Sequence, residues 1–335
     1  MWILYLVIYS FLIGFYTIYR KKATERTNIL FVLSLSSTIG FLLVSWSIVE
    51  SFQISINNVL IIFVKALLIS FGWIFELIAL NKYYISSLQP ISSIKVIITF
   101  IASILIFNES LYWWRFAGVV IIFLGLIILN QIDRIILKKH YKQEKIIKRI
   151  EKNDKIIIKF LSKLNYKNES KQIIKSRKFY QQTSKHNVFK REKMLAIMFF
   201  SFSCLFSSIS TILDKFIIDK VSSNQMQFWY MFFLAILLWI YFLIVCLKKK
   251  KILIKKSDWK NYLIYIISII LIVADRLLFI ALEEPNISMS GISILKQLSF
   301  IVSIILGGIL YKEPGLKYKF IVIILILIGT VVVII

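Results

Sequence analysis

The sequence predicts an all-α polytopic membrane protein, with ten transmembrane helices arranged as two inverted five-helix repeats. Three observations lead to this fold class: the overall apolar composition, the recurrence of long apolar runs, and the alternation of basic residues between the loops. The 335-residue chain is 59% hydrophobic, against roughly 45–50% in soluble domains. A soluble globule is therefore excluded, and so is a disordered chain, which requires a low content of apolar residues.

The apolar runs have the length of membrane-spanning helices. A spanning helix needs about 20 mostly apolar residues, because the hydrocarbon core is about 30 Å thick and each residue rises about 1.5 Å. The runs are continuous rather than alternating, which favours helices over β-barrel strands. The first run lacks a basic leading segment and a cleavage site, so it is predicted to be a retained helix rather than a signal peptide. The predicted spans are 2–19, 29–48, 58–80, 85–107, 112–130, 194–213, 226–247, 260–282, 287–310 and 317–335.

Lysine and arginine residues concentrate in the odd-numbered loops, which hold 35 of the 42. The positive-inside rule places these loops in the cytoplasm and both termini outside. The net charge of +25 is then mainly a signature of topology. No nucleic-acid partner is predicted.

The chain divides into three segments, of which the central one is polar. Residues 1–130 form the first five-helix transmembrane repeat, 131–193 a basic cytoplasmic loop, and 194–335 the second five-helix repeat. Over 132–165, Ile and Leu recur at roughly helical spacing between lysines. This pattern predicts an amphipathic helix on the cytoplasmic membrane surface, with anionic inner-leaflet lipid as its partner. The polar stretch 165–185 is predicted to be a solvated linker.

The last three spans of each half share a sequence pattern. ELIALNKYYISS in the first half corresponds to LFIALEEPNISM in the second, and Glu109 and Glu313 each follow the fourth span of their half. Because each half has an odd number of spans, the second is inverted relative to the first. Many secondary transporters are built from inverted repeats, with the substrate site at the repeat interface near mid-membrane.

These features resemble the drug/metabolite transporter superfamily of the EamA type. The resemblance rests on the five-plus-five repeat and on the pairs Asn108–Glu109 and Lys312–Glu313, and it covers both membrane halves but not residues 131–193. It implies a carrier of small metabolites in which the third and fourth helices of each half line a central cavity. It also implies that both termini are cytoplasmic, opposite to the charge count, so the absolute orientation stays open. Members carry substrates as different as amino acids, nucleotide sugars and choline, so no substrate is transferred.

Ionisable side chains inside the predicted spans are the first candidates for a site. Each costs about 2.5–3.5 kcal/mol on insertion scales, so its presence suggests a function. One layer, about 10–18 Å from the outer ends of the helices, contains five of them: Lys65, Lys95, Asp275, Arg276 and Lys296. We expect Asp275 to neutralise Lys65 or Lys296, which leaves a positive remainder suited to a carboxylate or phosphate. Arg276 is the candidate for bidentate capture.

Further candidates share helical faces with these charges. Trp73 lies on the stripe that runs from Lys65 to Glu76, and Ser299 lies one turn after Lys296. Glu76 is predicted to couple transport to protons, because burial favours a protonated carboxylate and cationic neighbours oppose this at Asp275. The predicted substrate-binding residues are therefore Lys65, Trp73, Lys95, Asp275, Arg276, Lys296 and Ser299, with Glu76 as the coupling residue.

Structural roles for the same residues stay open. Serine residues on membrane helices often mediate close packing. Lys65 and Lys95 could place their charges at an interface by snorkelling, and Asp275 with Arg276 could be a structural pair.

The sequence predicts a secondary active transporter of a small anionic or zwitterionic metabolite, working by alternating access in the cell membrane as a multi-pass protein. A lipid flippase or scramblase is the alternative, and it would open toward lipid. A membrane transferase is less favoured, because both histidines, His140 and His186, lie in the basic loop and no acidic metal-binding spacing occurs. No catalytic residue, metal or cofactor is predicted, and a Walker A motif is absent. A homodimer is left open.

Overall fold

The computed structural model describes residues 2–25, 27–107, 186–250, 254–284, 298–313 and 316–334, together with parts of 113–135 and of 292–296. Within these residues about 90% are helical and none is in a strand. An all-helical fold is thereby confirmed. Residues 136–185 lie outside the described part, so the surface helix and the linker of the basic loop stay predictions, as do the three segment boundaries.

The first half contains seven helices, of which two are single turns. They are α1 (Trp2–Thr24), α2 (Ile29–Val44), α3 (Ile48–Ser51), α4 (Ile56–Lys82), α5 (Ile85–Leu88), α6 (Ile94–Phe107) and α7 (Phe116–Leu129). The second half contains α8 (His186–Ile218), α9 (Ser223–Lys249), α10 (Tyr262–Leu282), α11 (Leu298–Leu310) and α12 (Leu316–Ile334). Short 3-10 segments, Ser45–Ser47 and Gln89–Ser93, join α2 to α3 and α5 to α6.

Seven of the described helical stretches are long and apolar enough to cross a membrane. They coincide with seven of the ten predicted spans. The remaining three predicted spans coincide with shorter apolar helices, Phe116–Leu129, Leu298–Leu310 and Tyr318–Gly329. A multi-pass membrane protein is thus supported, whereas the count of ten crossings stays a prediction.

The outward faces of the helices expose large apolar side chains. Leu42 is 66% exposed, Val49 79%, Leu105 75% and Leu247 75%. Apolar patches of this kind are rare on soluble monomers, but lipid covers them without loss. The exposed faces therefore agree with a bilayer as the surrounding solvent.

One end of the bundle carries most of the basic residues of the described chain, and we call it the basic end. Here α1 and α4 end and α10 begins. Asn261 Nδ2 donates to the carbonyl oxygen of Ala23 at 3.1 Å, and Thr24 and Asn81 are hydrogen-bonded through their side chains. These contacts place residues from both halves at the same end.

The opposite end is tied together by carboxylates that accept hydrogen bonds across helices. Glu50 in α3 accepts from Ser222 Oγ at 2.8 Å and from Asn224 Nδ2 at 2.7 Å. Glu283, just after α10, accepts from the backbone N–H of Ser223 at 2.5 Å. The start of α9 is thereby fixed against both α3 and α10.

Packing between the halves is extensive. α1 packs along α10 and α11, α4 packs along α8 and α9, and α2 packs against α9 and α10. All of these contacts join a helix of the first half to helices of the second. The core is therefore shared between the halves, and space left between them is enclosed by both.

Candidate transport cavity

A central cavity of about 170 Å³ lies between the two halves. Its wall comes from α1, α4, α6 and the preceding 3-10 segment on one side, and from α8, α9, α10 and the residues around α11 on the other. Charges of both signs face it: Arg20, Lys65, Lys95 and Lys296, with Glu76, Asp214 and Asp275. The cavity wall thus holds four cations and three anions, whereas the predicted site residues comprised four cations and two anions.

A break in the fourth span shapes one wall of the cavity. Pro90 lacks a backbone N–H and so cannot continue an α-helical ladder, and the chain forms a 3-10 segment over Gln89–Ser93 between α5 and α6. Gln89, Ser92 and Lys95 line the cavity at this point. The break therefore brings polar groups, rather than a regular apolar face, to the cavity wall.

Lys65 forms a buried ion pair across the halves. Its Nζ lies 2.6 Å from Asp214 Oδ1, and the two side chains are only 3% and 5% exposed. The ring of Tyr230 lies 4.2 Å and that of Phe279 4.5 Å from the same Nζ, within the range of cation–π attraction. Asp275 was expected to neutralise either Lys65 or Lys296; the ion-pair partner of Lys65 in the structure is Asp214.

A second ion pair lies nearer the basic end. The guanidinium of Arg20 contacts the carboxylate of Glu76. Its Cζ lies 4.8 Å from the ring centroid of Tyr16 and 5.7 Å from that of Trp73. Because arginine stays charged, Glu76 has a permanent cationic partner in the cavity wall.

Three further charged residues of the cavity wall form no ion pair within the described chain. Among the described residues, neither Lys95, Lys296 nor Asp275 has an oppositely charged atom within 4.0 Å. The Oδ2 atom of Asp275 is buried without a hydrogen-bond partner in the described chain. Lys296 Nζ lies 5.8 Å from the ring centroid of Tyr9. These groups are available to a polar ligand.

Seven of the eight candidate residues line this cavity: Lys65, Trp73, Glu76, Lys95, Asp275, Lys296 and Ser299. The exception is Arg276. Its guanidinium Cζ lies 6.0 Å from the ring of Trp46, which is itself 68% exposed. Successive residues of a helix point about 100° apart, so Arg276 faces away while Asp275 faces the cavity. Arg276 is therefore not among the residues that line the cavity.

Serine and threonine residues form polar stripes on the fourth and ninth predicted spans, and these stripes have two different roles. Ser92, Thr99 and Ser299 line the cavity. Ser303 instead lies against α1, where its Oγ is 3.3 Å from the carbonyl oxygen of Gly14, and an added Cβ at Gly307 would meet Ile85 at 3.0 Å. The packing alternative therefore describes the part of the stripe nearer the basic end.

Two charges of the cavity, Arg20 and Asp214, were not predicted from the sequence. Both lie one residue beyond a predicted span, because α1 continues to Thr24 and α8 to Ile218. A signal was available: Tyr9, Tyr16 and Arg20 share a helical stripe, and Ser203, Ser207, Ser210 and Asp214 form another. Extending those polar stripes would have placed both charges on inward faces.

A clamp joins the halves at the basic end, and it includes Glu313. The two carboxylate oxygens of Glu313 accept hydrogen bonds from the backbone N–H groups of Ile85 at 2.7 Å and Ser86 at 2.8 Å. Lys319 Nζ donates to Ser86 Oγ at 2.9 Å and to Ser87 Oγ at 2.5 Å. The second half thus holds the start of α5, which leads into the broken segment of the cavity wall. Glu109, the repeat-related residue, lies outside the described part.

A shallower cavity of about 260 Å³ adjoins this clamp. In its wall, Lys21 Nζ lies 4.4 Å from the ring of Tyr311. Burial raises the pKa of Tyr311, and the nearby carboxylate of Glu25 raises it further. The phenol therefore stays protonated at neutral pH beside the Lys21 cation.

The helical bundle and its charged central cavity define a class of protein: a multi-pass membrane protein with an internal site sized for a small solute. Comparison with known families specifies this class further. The model of the EamA-like transporter family matches residues 1–131 and 194–335, and the chain belongs to that family. The predicted membership of the drug/metabolite transporter superfamily is confirmed, and the family is one of transporters rather than enzymes.

Solved structures support the same fold. A chain titled "Crystal structure of protein" is similar with a TM-score of 0.52 and 13% sequence identity, over 97% of this chain and 96% of that one. At this identity the likeness concerns the fold alone. Among curated proteins, none matches the chain.

Proposed function

We infer that the protein is a secondary active transporter that moves a small anionic or zwitterionic metabolite across the cell membrane by alternating access. The observation that carries this proposal is the central cavity, which lies between the halves and is lined by charges of both signs. Buried charges cost free energy unless they are paired, and apolar residues of similar volume are often at least as stabilising. A cavity that keeps Asp275 and Lys296 without ion-pair partners in the described chain is better explained by a ligand than by stability.

The cross-half packing supports inverted repeats and hence alternating access. The first helix of the first half, α1, packs against the third span of the second half, α10. In the other direction, α8 packs against α4, while the second spans α2 and α9 pack against each other. A pseudo-two-fold axis in the membrane plane would generate this reciprocal pairing. Rocking of one half against the other would then expose the cavity to each side in turn.

The balance of charge favours a zwitterion within the predicted substrate class. The cavity wall offers carboxylates, Asp214 and Asp275, to a positive group, and ammonium groups, Lys95 and Lys296, to a negative one. The cavity volume of about 170 Å³ is smaller than the roughly 300–1,000 Å³ of drug-sized pockets. A metabolite of amino-acid size satisfies both the charge pattern and the volume.

The proposal is tested with purified protein in two assays. A thermal-shift screen compares small zwitterions, carboxylates, phosphates and cations, and the best ligand is then used for counterflow in proteoliposomes. We expect a zwitterion or anion to raise Tm and its trans-loaded form to accelerate uptake of labelled ligand. Asp275→Asn and Lys296→Gln should each lose this stabilisation, whereas Lys248→Gln, at an exposed helix end, should keep it.

The result that would overturn the proposal is equally concrete. If no soluble metabolite raises Tm or exchanges, while a fluorescent phospholipid equilibrates between the leaflets of the same vesicles, the protein is a lipid flippase or scramblase. Loss of ligand stabilisation in Lys248→Gln as great as in the cavity variants would also count against the cavity as the binding site.

A further inference from the structure

The surroundings of Lys65 have the chemistry of a binding site for an organic ammonium ion. Its Nζ lies 2.6 Å from Asp214 Oδ1, with the ring centroids of Tyr230 at 4.2 Å and Phe279 at 4.5 Å. The two rings are 6.4 Å apart and nearly perpendicular. A carboxylate combined with aromatic faces is the arrangement by which proteins recognise ammonium groups. We call Asp214, Tyr230 and Phe279 the ammonium cage.

The cage and its occupant belong to different halves. Asp214 lies on α8, Tyr230 on α9 and Phe279 on α10, and all three are buried. Lys65 reaches them from α4. The second half therefore holds the complete cage, and the first half supplies only the ammonium group that fills it. Occupant and cage can be separated without taking the cage apart.

Lys65 also has a second carboxylate to turn to. Asp275 lines the same cavity, lies within the electrostatic reach of Lys65, and has a buried Oδ2 without a hydrogen-bond partner in the described chain. A lysine that left Asp214 would thus remain near a negative charge. The usual penalty for stranding a buried charge is reduced, and replacement of Lys65 in the cage becomes feasible.

The geometry points to the ammonium cage as a binding site for primary ammonium groups, with Lys65 as its tethered occupant. During transport, the ammonium group of the substrate replaces Lys65 at Asp214, and Lys65 turns toward Asp275. Only this replacement step rests on the proposed function. The cage then selects substrates with a primary amine over simple anions.

The cage is tested by emptying it and offering free ammonium ions of graded length. Lys65→Ala removes three methylene groups and the amine, so n-propylammonium is the matching probe, with methyl-, ethyl- and butylammonium chloride as the series and sodium chloride as the salt control. We expect propylammonium to raise the Tm of Lys65→Ala by about 2 °C or more when present at roughly ten times its dissociation constant. Shorter and longer members should bind more weakly.

Two matched variants show whether the probe enters the cage. Lys65→Met fills the same space without a charge and should show no propylammonium shift. Lys65→Ala combined with Asp214→Asn keeps the space but removes the carboxylate, and its affinity for propylammonium should be at least tenfold lower. An equal response of all three variants would overturn the proposal, as would no response of Lys65→Ala to any member of the series.

Instability of Lys65→Ala does not prevent the test. The variant is then prepared in propylammonium chloride and compared after exchange into fresh propylammonium or sodium chloride. Survival in propylammonium alone supports the cage, and equal aggregation in both salts contradicts it. These measurements involve no transport. A propylammonium-induced rise in Tm without metabolite counterflow would therefore support the ammonium cage and refute the proposed transport function.

Discussion

Removal of the Glu313 carboxylate is the most direct test of how the second half holds the wall of the cavity. Glu313 is 6% exposed and accepts hydrogen bonds from two backbone N–H groups at the start of α5. Glu313→Ala would leave both donors without this acceptor. Lys319, buried beside the same turn, would also lose a nearby negative charge.

The expected size of the effect follows from the two hydrogen bonds. A hydrogen bond to a charged acceptor contributes about 1.5–3 kcal/mol, so the loss of both costs about 3–6 kcal/mol. Glu313→Gln retains one acceptor oxygen and no charge, and should cost about half as much. At roughly 2–4 °C per kcal/mol, Glu313→Ala should lower Tm by at least about 6 °C and Glu313→Gln by at least about 3 °C.

The assay is thermal unfolding of the purified variants, with Asp219→Ala as the matched control because Asp219 is an acid exposed in a turn. The control should change the free energy of unfolding by no more than about 0.5 kcal/mol. Since α5 leads into Gln89 and Ser92 of the cavity wall, ligand affinity should fall together with Tm in Glu313→Ala. A Tm within about 1–2 °C of the control would refute the role of Glu313 as a clamp.

Three further changes test other parts of the structure. If Glu76 carries the coupling proton, Glu76→Gln should abolish the acceleration of counterflow by a pH gradient. The rate is compared per folded molecule, because the variant also loses the ion pair to Arg20. An unchanged pH dependence would show that Glu76 is not the coupling residue. Gly14→Ala places a Cβ 2.5 Å from a side-chain atom of α11 and should cost about 1–3 kcal/mol, whereas at Gly72 the nearest atoms are 3.6 Å away and alanine should be tolerated; equal Tm values would contradict this packing. Arg276→Ala should leave ligand-induced stabilisation as in the wild type, and its loss would return Arg276 to the site.

The membrane fold could be predicted from the sequence because lipid imposes simple rules. Only continuous apolar runs of spanning length satisfy the backbone in a bilayer, and such runs are visible without a structure. Interruptions of a span are harder to see. The 3-10 segment around Pro90 and the short α5 before it lie inside one predicted run, 85–107. Hydropathy averages over such a break, so the 3-10 segment was not predicted, although Lys95, which follows it, was predicted as a site residue.

The candidate site could be predicted only in part, from charged residues that lie inside apolar runs, where such residues are rare. Lys65, Lys95 and Lys296 were found because charged residues are costly there. Arg20 and Asp214 were missed because span boundaries are uncertain by a few residues. A charged residue at the end of a span is expected to face water, so it does not by itself suggest a site. The partner of Lys65 could not be derived at all, since it depends on the packing of α4 against α8, which sequence distance does not encode.

The two ion pairs of the cavity differ in what they join, and this difference bears on how binding could drive motion. Arg20 and Glu76 both belong to the first half, so a movement of one half against the other leaves their contact intact. Lys65 and Asp214 belong to different halves, so the same movement must stretch or break theirs. Breaking a buried ion pair costs about 3–5 kcal/mol when one charge is left without a partner. A carrier without substrate would therefore resist the movement of one half against the other. If a substrate ammonium bound Asp214 and Lys65 turned to Asp275, both charges would keep a partner, and the barrier to this movement would be lower in the loaded carrier than in the empty one.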